Sequence, residues 1–282
     1  MVRRRGSFQT SAVSGLPIDR ALGYRALAVD DLPGTQDIVQ RCRELYEAKQ
    51  ELHTAAGRDM QSGADPTQHH ILIDLLDDGL LQEERVLVDF ALHERILNTV
   101  TRYLGQLPVL RRVGLLLSRS PLALEDSALL HKDPEDLEQV KLFLNIFTVS
   151  NQEGPFTFLP ANVSRQVLQG IHATDRGPRR HRRYTDTEAL RFCRPADFIR
   201  LTGPPGSAVL VDTSRCLHFG SRVDAGHFRL VYYAQFCRFH QRVLTSVNNF
   251  DRQRYSADDI RWHVLTPKRR RGRRVVSARP VH

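Results

Sequence analysis

The sequence predicts a mainly β fold, either a barrel or a sandwich, supported by N-terminal helices. Two observations lead to this fold class. Helix-like patterns of apolar residues come first along the chain, and after Gly105 they give way to several short segments typical of strands. The 282 residues are enough for one such domain with a substantial core, and an apolar fraction of 41% is that of an ordinary globular protein.

Two amphipathic helices are predicted in the first part of the chain. From Thr35 onward, apolar residues recur every three or four positions and form one stripe on a helix. The same spacing recurs over residues 83–104, after a loop at 61–68 that is rich in turn-forming residues. We therefore expect these helices to support the β core from one side.

Short apolar segments beyond Gly105 are predicted to be strands. They cover residues 109–117, 140–149, 156–159, 207–211 and 228–236. The segment 140–149 is apolar almost throughout, which indicates a strand covered on both faces. Residues 170–200 interrupt the series with an arginine-rich loop and a short helix that Thr185 and Asp186 are placed to cap.

The whole chain is predicted to be one domain. Its parts are a helical support at 1–105, a β core at 106–240 with the insertion at 170–200, and a C-terminal extension at 241–282. The extension ends in a basic tail, since residues 268–279 carry seven positive charges and no acid, out of a net charge of +9. A second basic cluster lies at 176–183. We read both as solvated segments, and we do not expect a nucleic-acid partner, although clustered positive charge can attract one.

The composition also bears on the surroundings of the protein. No apolar run approaches the roughly 18 residues that a membrane span requires, so no membrane partner is expected. Four cysteines stand at wide and irregular spacing: Cys42, Cys193, Cys216 and Cys237. Such spacing does not suit a thiolate zinc site and predicts reduced, mostly buried thiols in a cytoplasmic protein.

Two histidines, a carboxylate and an arginine form the pattern that says most about the function. His131 and Asp133 are two residues apart, so on an extended segment both project to the same side. His218 follows an apolar segment, and Arg229 lies within another. Two imidazoles and one carboxylate can occupy one face of a metal and leave the opposite positions open, which suits ferrous iron. A guanidinium on a buried strand is costly unless paired, so we expect a carboxylate partner from the protein or from a ligand.

With these residues the chain resembles the phytanoyl-CoA dioxygenase-like family of Fe(II)/2-oxoglutarate-dependent oxygenases. The resemblance rests on His131-Lys-Asp133, on residues 151–160 (Asn-Gln-Glu-Gly-Pro-Phe-Thr-Phe-Leu-Pro), and on residues 212–221 with Arg229. It covers roughly residues 109–239. It implies a double-stranded β-helix, a squashed barrel of two facing sheets with helices packed on one side.

The resemblance also implies the site. His131, Asp133 and His218 would hold Fe(II), 2-oxoglutarate would chelate the iron while Arg229 pairs with its far carboxylate, and dioxygen would take the remaining position. Because the carboxylate ligand Asp133 is present, the pattern favours hydroxylation or a related oxidation over halogenation.

The chain departs from the family pattern at two places. After Pro160 the family usually has Gly-Ser-His, and here Ala-Asn-Val follows. Many members place Ser or Thr two residues after the second histidine, where this chain has Gly220, with Ser221 one position later. Ser221 is then the candidate to contact the cosubstrate carboxylate.

One strand carries further candidates. Lys141, Phe143 and Asn145 alternate along one face of the segment 140–149. If that face looks inward, Asn145 or Lys141 is expected to contact the cosubstrate. The alternative is that this face is the solvent side of the strand.

The predicted function is oxidation, most simply hydroxylation, of an unactivated C–H bond in a small-molecule or carrier-bound metabolite. An anionic substrate is a further hypothesis, because Arg215, Arg222 and the cluster at 176–183 could form a cationic rim. A nucleic-acid demethylase is disfavoured, since Gln235 stands where that group has a second arginine. The alternatives are an inactive relative, or a β-barrel binding protein whose basic tail holds nucleic acid or an acidic partner. Deleting residues 267–282 separates the last of these from an enzyme.

Overall fold

A computed structural model describes residues 16–55, 72–120, 126–174, 183–238 and 247–265. The strands are β1 (Tyr24–Leu27), β2 (Leu72–Asp74), β3 (Pro108–Arg119), β4 (Leu130–His131), β5 (Gln139–Asn145), β6 (Thr157–Phe158), β7 (Arg183–Tyr184), β8 (Ile199–Arg200), β9 (Ala208–Val211), β10 (His218–Phe219) and β11 (Phe228–Arg238). The α-helices are α1 (Thr35–Ala55), α2 (Asp78–Glu83), α3 (Arg85–Ala91), α4 (Glu94–Leu104), α5 (Ala161–Thr174), α6 (Asp186–Ala189) and α7 (Ile260–Val264). The predicted mainly β fold with supporting helices is confirmed.

The strands form two antiparallel sheets that face each other. The major sheet has the order β1-β9-β5-β11-β3-β2, and the minor sheet has the order β7-β4-β10-β6-β8. Aromatic side chains join the two: Tyr24 of the major sheet meets Phe158 of the minor sheet with ring centroids 5.0 Å apart. Two facing antiparallel sheets are the architecture of the predicted double-stranded β-helix. Helices pack on both sides and not on one: α1, α3 and α4 cover the major sheet, and α5 covers the minor sheet through Val167 and Ile171.

The central strands of the major sheet are covered on both faces. Leu142 and Leu144 of β5 point outward into the large core, where they pack with residues of α1, α3 and α4 such as Ile38 and Leu97. Phe143, between them, points inward and stacks on Phe156 at 4.1 Å between ring centroids. Two-sided burial explains the near-continuous apolar run in this segment, although the strand ends at Asn145 and not at residue 149.

The region predicted as one helix over 83–104 holds the last residue of α2 and two further helices, α3 and α4, so that prediction is wrong in its continuity. Glu84 leaves the helical region with φ −89° and ψ 75°, and it separates α2 from α3. His93 then begins α4, because its ring nitrogen accepts a hydrogen bond from the Arg95 amide. Gly105, with φ 69°, ends α4 in the left-handed conformation that glycine adopts readily.

Two regions contribute strands that the sequence did not suggest. β1 pairs with β9 and β2 pairs with β3, so residues from the helical support also form both edges of the major sheet. The insertion at 170–200 supplies β7 and β8, the edges of the minor sheet. It also contains α6, which is capped by Thr185 as predicted, with Thr185 Oγ1 accepting from the Glu188 amide at 3.2 Å. The division of the chain into support, core and extension stays a prediction.

Three other predictions concern the whole chain. The helices in the described ranges include none that is long and apolar enough to cross a membrane. All four cysteines are free thiols, and three of them are buried, as predicted. The basic tail at 268–279 and residues 176–182 of the arginine-rich loop lie outside the described residues.

Candidate metal centre

His131, Asp133 and His218 converge on one point between the sheets. Their ligand atoms all lie within 4.8 Å of one another. Nε2 of His131 is 3.9 Å from Oδ1 of Asp133, and Nε2 of His218 is 3.6 Å from Oδ2. The pairing of β4 with β10 brings the two histidines together, because they are direct partners in the antiparallel register. Residues opposed in this way place their side chains on the same face of the sheet.

Backbone carbonyls orient both imidazoles. Nδ1 of His131 is 2.8 Å from the Leu129 carbonyl oxygen, and Nδ1 of His218 is 2.9 Å from that of Cys216. A carbonyl oxygen can only accept, so each Nδ1 donates to it and each Nε2 is left facing the centre as the atom that can bind a metal. Burial, with the nearby His218, lowers the pKa of His131 to about 3, so that imidazole is neutral near pH 7.

The Asp133 carboxylate completes the cluster. Its backbone amide donates to the Thr213 carbonyl oxygen at 2.9 Å, and its Oδ2 lies 2.7 Å from Nζ of Lys141. Burial opposes ionisation, but His218 and Lys141 outweigh it and hold the pKa of the carboxyl well below its usual value. Two inward-facing imidazole nitrogens and one ionised carboxylate therefore fit a divalent cation of the ferrous type.

Arg229 is buried nearby without a carboxylate partner among the described residues. It stands opposite Ser118 in the register of β11 and β3. Nη1 donates to the Gly154 carbonyl oxygen at 2.5 Å, Nη2 donates to Ser118 Oγ at 3.3 Å, and Nε has no hydrogen-bond partner in the part of the chain that the structure describes. Burial lowers the pKa of Arg229 to about 10. The result is a buried positive charge that an incoming anion could neutralise.

Ser221 lies beside this guanidinium. Its φ of 61° makes it the one non-glycine residue of the described ranges in the left-handed region, a conformation that concentrates at functional sites. Its hydroxyl is 3.2 Å from that of Ser118. A Cβ on Gly220 would come within 3.0 Å of Nη2 of Arg229, so glycine at this position leaves room for the guanidinium.

Ser118 is a residue of the site that the sequence did not indicate. Its hydroxyl contacts both Arg229 and Ser221, and its side chain is fully buried. The signal that identifies it is its register with Arg229, which exists only once β3 and β11 are paired.

Asn145 and Lys141 are on the face of β5 that looks inward between the sheets. The alternative, that this face is the solvent side of the strand, is not what the structure has. Asn145 is fully buried, its Nδ2 donates to the Leu201 carbonyl oxygen at 3.1 Å, and its Oδ1 finds no hydrogen-bond partner among the residues with described positions. Lys141 instead reaches Asp133. Contact of either residue with a cosubstrate stays a prediction.

Two arginines of the predicted cationic rim are engaged elsewhere. Arg222 donates two hydrogen bonds to the Asp186 carboxylate, at 2.6 and 2.8 Å, and lies over the Phe219 ring. Arg215 donates to the Tyr103 hydroxyl at 2.9 Å. Arg222 is therefore already neutralised and does not support the rim. The partner of Arg215 is an uncharged hydroxyl, so its part in the rim stays a prediction.

Solved structures of similar fold include proteins crystallised with iron or nickel. EctD from S. alaskensis is 12% identical and has a TM-score of 0.50, over 88% of this chain and 82% of that one. The epimerase SnoN, solved with Fe3+, alpha ketoglutarate and nogalamycin RO, is 17% identical, with a TM-score of 0.47 over 77% and 79%. HygX from Streptomyces hygroscopicus, solved with nickel and 2-oxoglutarate bound, is 12% identical, with a TM-score of 0.47 over 78% and 87%.

The likeness to EctD shows that the two chains share a fold. No protein-family model matches this chain, and no curated protein matches it.

Proposed function

We propose that this protein is a non-haem Fe(II)/2-oxoglutarate-dependent oxygenase that oxidises an unactivated C–H bond of a small-molecule or carrier-bound metabolite. One observation carries the proposal. Two oriented imidazoles and an ionised carboxylate converge between the sheets, and the same interior contains a buried guanidinium without a carboxylate partner among the described residues. The first arrangement suits a ferrous ion, and the second suits the far carboxylate of a dicarboxylic acid.

In this proposal His131 and His218 bind the metal through Nε2, and Asp133 binds it through one carboxylate oxygen. The three ligands leave coordination positions open. When bound there, the ferrous ion supplies sites for an oxo acid and dioxygen and the redox chemistry for oxidising a C–H bond. The protein positions these ligands before the metal binds. The hydrogen bonds of both histidines to backbone carbonyl oxygens serve that purpose.

Arg229 binds the far carboxylate of 2-oxoglutarate. A guanidinium can donate two parallel hydrogen bonds to a carboxylate, and such charge-assisted bonds are about twice as strong as neutral ones. Ser118 and Ser221, whose hydroxyls are 3.2 Å apart beside the guanidinium, are placed to donate to the same carboxylate. Ser221 thus supplies the hydroxyl that many members of the family have one position earlier, where this chain has Gly220.

Aromatic rings form a wall beside the metal ligands. Phe156 lies 5.5 Å from the His218 ring and 4.1 Å from Phe143, and Phe143 lies 6.3 Å from Tyr233. These rings exclude water from one side of the centre, and they give an apolar surface against which a substrate carbon can be held. Hydroxylation is the simplest outcome of such positioning, and we include it in the proposal.

The test is Fe(II)-dependent formation of succinate from 2-oxoglutarate in air. We expect succinate from the parent protein with Fe(II), none without it, and none from His218→Ala or Asp133→Ala. His227→Ala is the matched control, because His227 contacts Glu153 and is not part of the metal centre. Absence of Fe(II)-dependent succinate from the folded parent protein would contradict the proposal and favour an inactive relative.

A further inference from the structure

The Asp133 carboxylate has a different kind of anchor from the two histidines. Each imidazole is held from behind by a backbone carbonyl. The carboxylate is held by a side chain, since Oδ2 lies 2.7 Å from Nζ of Lys141. Both side chains are largely buried, with exposures of 14% for Lys141 and 10% for Asp133. Among the described residues, Lys141 is the one lysine or arginine within ion-pair distance of this carboxylate.

Lys141 approaches the centre from a rigid part of the fold. It is on β5, where its backbone is paired with Gln235 of β11 on one side and with Val211 of β9 on the other. Asp133 instead follows β4 of the minor sheet. The ion pair therefore links the two sheets, and it fixes a loop carboxylate to a central strand.

Two amides and an acid form a hydrogen-bonded group next to the pair. Gln139 donates to the Asp133 carbonyl oxygen at 3.5 Å and to Glu135 at 3.4 Å, and Gln235 donates to Gln139 at 2.6 Å. None of these contacts reaches the Asp133 carboxylate. Oδ2 lies 2.7 Å from Nζ of Lys141 and 3.6 Å from Nε2 of His218, and Oδ1 lies 3.9 Å from Nε2 of His131, so Lys141 gives the carboxylate its shortest contact.

We propose that Lys141 is a positioning residue for the metal centre, which holds Oδ2 of Asp133 so that Oδ1 faces the metal. This inference rests on the proposed function, because it needs a metal at the three ligands. Groups that hold a ligand from behind commonly set metal affinity, and their loss costs about 10–100-fold. A simple charge effect predicts the opposite sign, because removing a nearby positive charge would favour the binding of a cation.

The test is isothermal titration of metal-free protein with Mn(II), which needs neither cosubstrate nor turnover. We expect Lys141→Met to bind Mn(II) about 10–100-fold more weakly than the parent. Lys141→Arg, which keeps a charged donor, is expected to recover most of the affinity. Lys132→Met is the matched control, since Lys132 lies between two ligands in sequence but is exposed. It is expected to bind Mn(II) as the parent does.

Co(II) absorption provides a second measurement, because its visible bands respond to how the carboxylate coordinates. We expect these bands to change in Lys141→Met and to be unchanged in Lys132→Met. If Lys141→Met does not fold, Lys141→Gln carries the test, since it keeps a hydrogen-bond donor at this position without the charge. Its Mn(II) affinity is expected to lie between that of the parent and about ten-fold below it, the lower edge of the range for Lys141→Met. Its Co(II) bands are expected to be closer to those of the parent than the bands of Lys141→Met are.

The outcomes separate this inference from the function on which it rests. If the parent binds Mn(II) and His218→Ala does not, the metal centre stands. If folded Lys141→Met then binds Mn(II) as tightly as the parent or more tightly, with unchanged Co(II) bands, the positioning role is wrong. If the folded parent binds no Mn(II), the proposed function fails with it.

Discussion

His131 on β4 and His218 on β10 are direct partners across an antiparallel strand pair, with ring centroids 4.3 Å apart. Side chains opposed in this way start from Cβ atoms about 4.5–5.5 Å apart on one face of the sheet. Strand pairing, and not the path of a loop, therefore sets the distance between these two imidazoles. A site on paired strands is held more firmly than one on loops alone.

The metal-free protein is expected to lose stability as the pH falls. Burial lowers the pKa of His131 from 6.5 to about 3. The unfolded chain takes up a proton on this residue below about pH 6.5, whereas the folded protein does so only near pH 3. The free energy of unfolding must therefore fall across that window as the pH is lowered. The midpoints of urea unfolding of the metal-free protein at about pH 7 and about pH 5 measure this loss of stability.

The matched variant for this measurement is His131→Gln, which removes the titrating ring. Its urea midpoint should depend less on pH than that of the parent. Equal dependence in the two proteins would show that His131 does not carry the effect.

Replacing Arg229 with Met is expected to separate stability from binding. The described residues offer this guanidinium no carboxylate, so an apolar side chain of similar length removes an uncompensated buried charge. Thermal unfolding of the metal-free variant should occur at the temperature of the parent or above it. Binding of 2-oxoglutarate to the Mn(II)-loaded protein should weaken by roughly 30-fold or more, because losing one partner of a buried charge pair costs about 2–5 kcal/mol. A strongly destabilised variant would show that Arg229 has a structural role instead.

Gly154 and Gly226 provide a matched pair of alanine substitutions. Both have positive φ, 64° and 80°, but a Cβ on Gly154 would lie 2.6 Å from the backbone of Arg222, whereas one on Gly226 meets no atom of the described ranges within 4 Å. Gly226→Ala should cost about 1–2 kcal/mol of backbone strain. Gly154→Ala should cost about 1–3 kcal/mol more because of the clash. Chemical unfolding of both variants measures the difference, and equal losses would contradict this geometry.

The thiols are expected to differ in reactivity. Cys42, Cys216 and Cys237 are buried, and burial raises the pKa of Cys237 to about 12, so these thiols are neither exposed nor ionised. Cys193 is only half-buried. Native protein should react with one equivalent of the thiol reagent DTNB, and unfolded protein with all four cysteines. Cys193→Ser should remove the native reaction, and rapid labelling of that variant would contradict the burial of the other three.

Local patterns in the sequence were enough to predict part of the fold and the shared direction of His131 and Asp133. The stripe of apolar residues from Thr35 predicted α1, and the apolar run around Leu142 predicted a strand covered on both faces. The alternation of side chains along an extended segment predicted that His131 and Asp133 point the same way. Each of these follows from the period of one element, so no knowledge of the rest of the chain is needed.

The remaining features depend on contacts between distant segments. Ser118 joins Arg229 only through the register of β3 with β11, and Lys141 meets Asp133 only because the two sheets face each other. The breaks at Glu84 and His93 interrupt a helical pattern whose apolar spacing alone indicates one helix. β1 and β2 have four and three residues, too few to show a period, and only their pairing identifies them as strands.

The most direct test of the metal centre is anaerobic addition of Fe(II) and 2-oxoglutarate, followed by visible absorption. A 2-oxo acid that chelates ferrous iron through its oxo and carboxylate groups gives a weak charge-transfer band. We expect this band in the parent protein and its absence in Asp133→Ala. No band from the folded parent, or an equal band from Asp133→Ala, would contradict it.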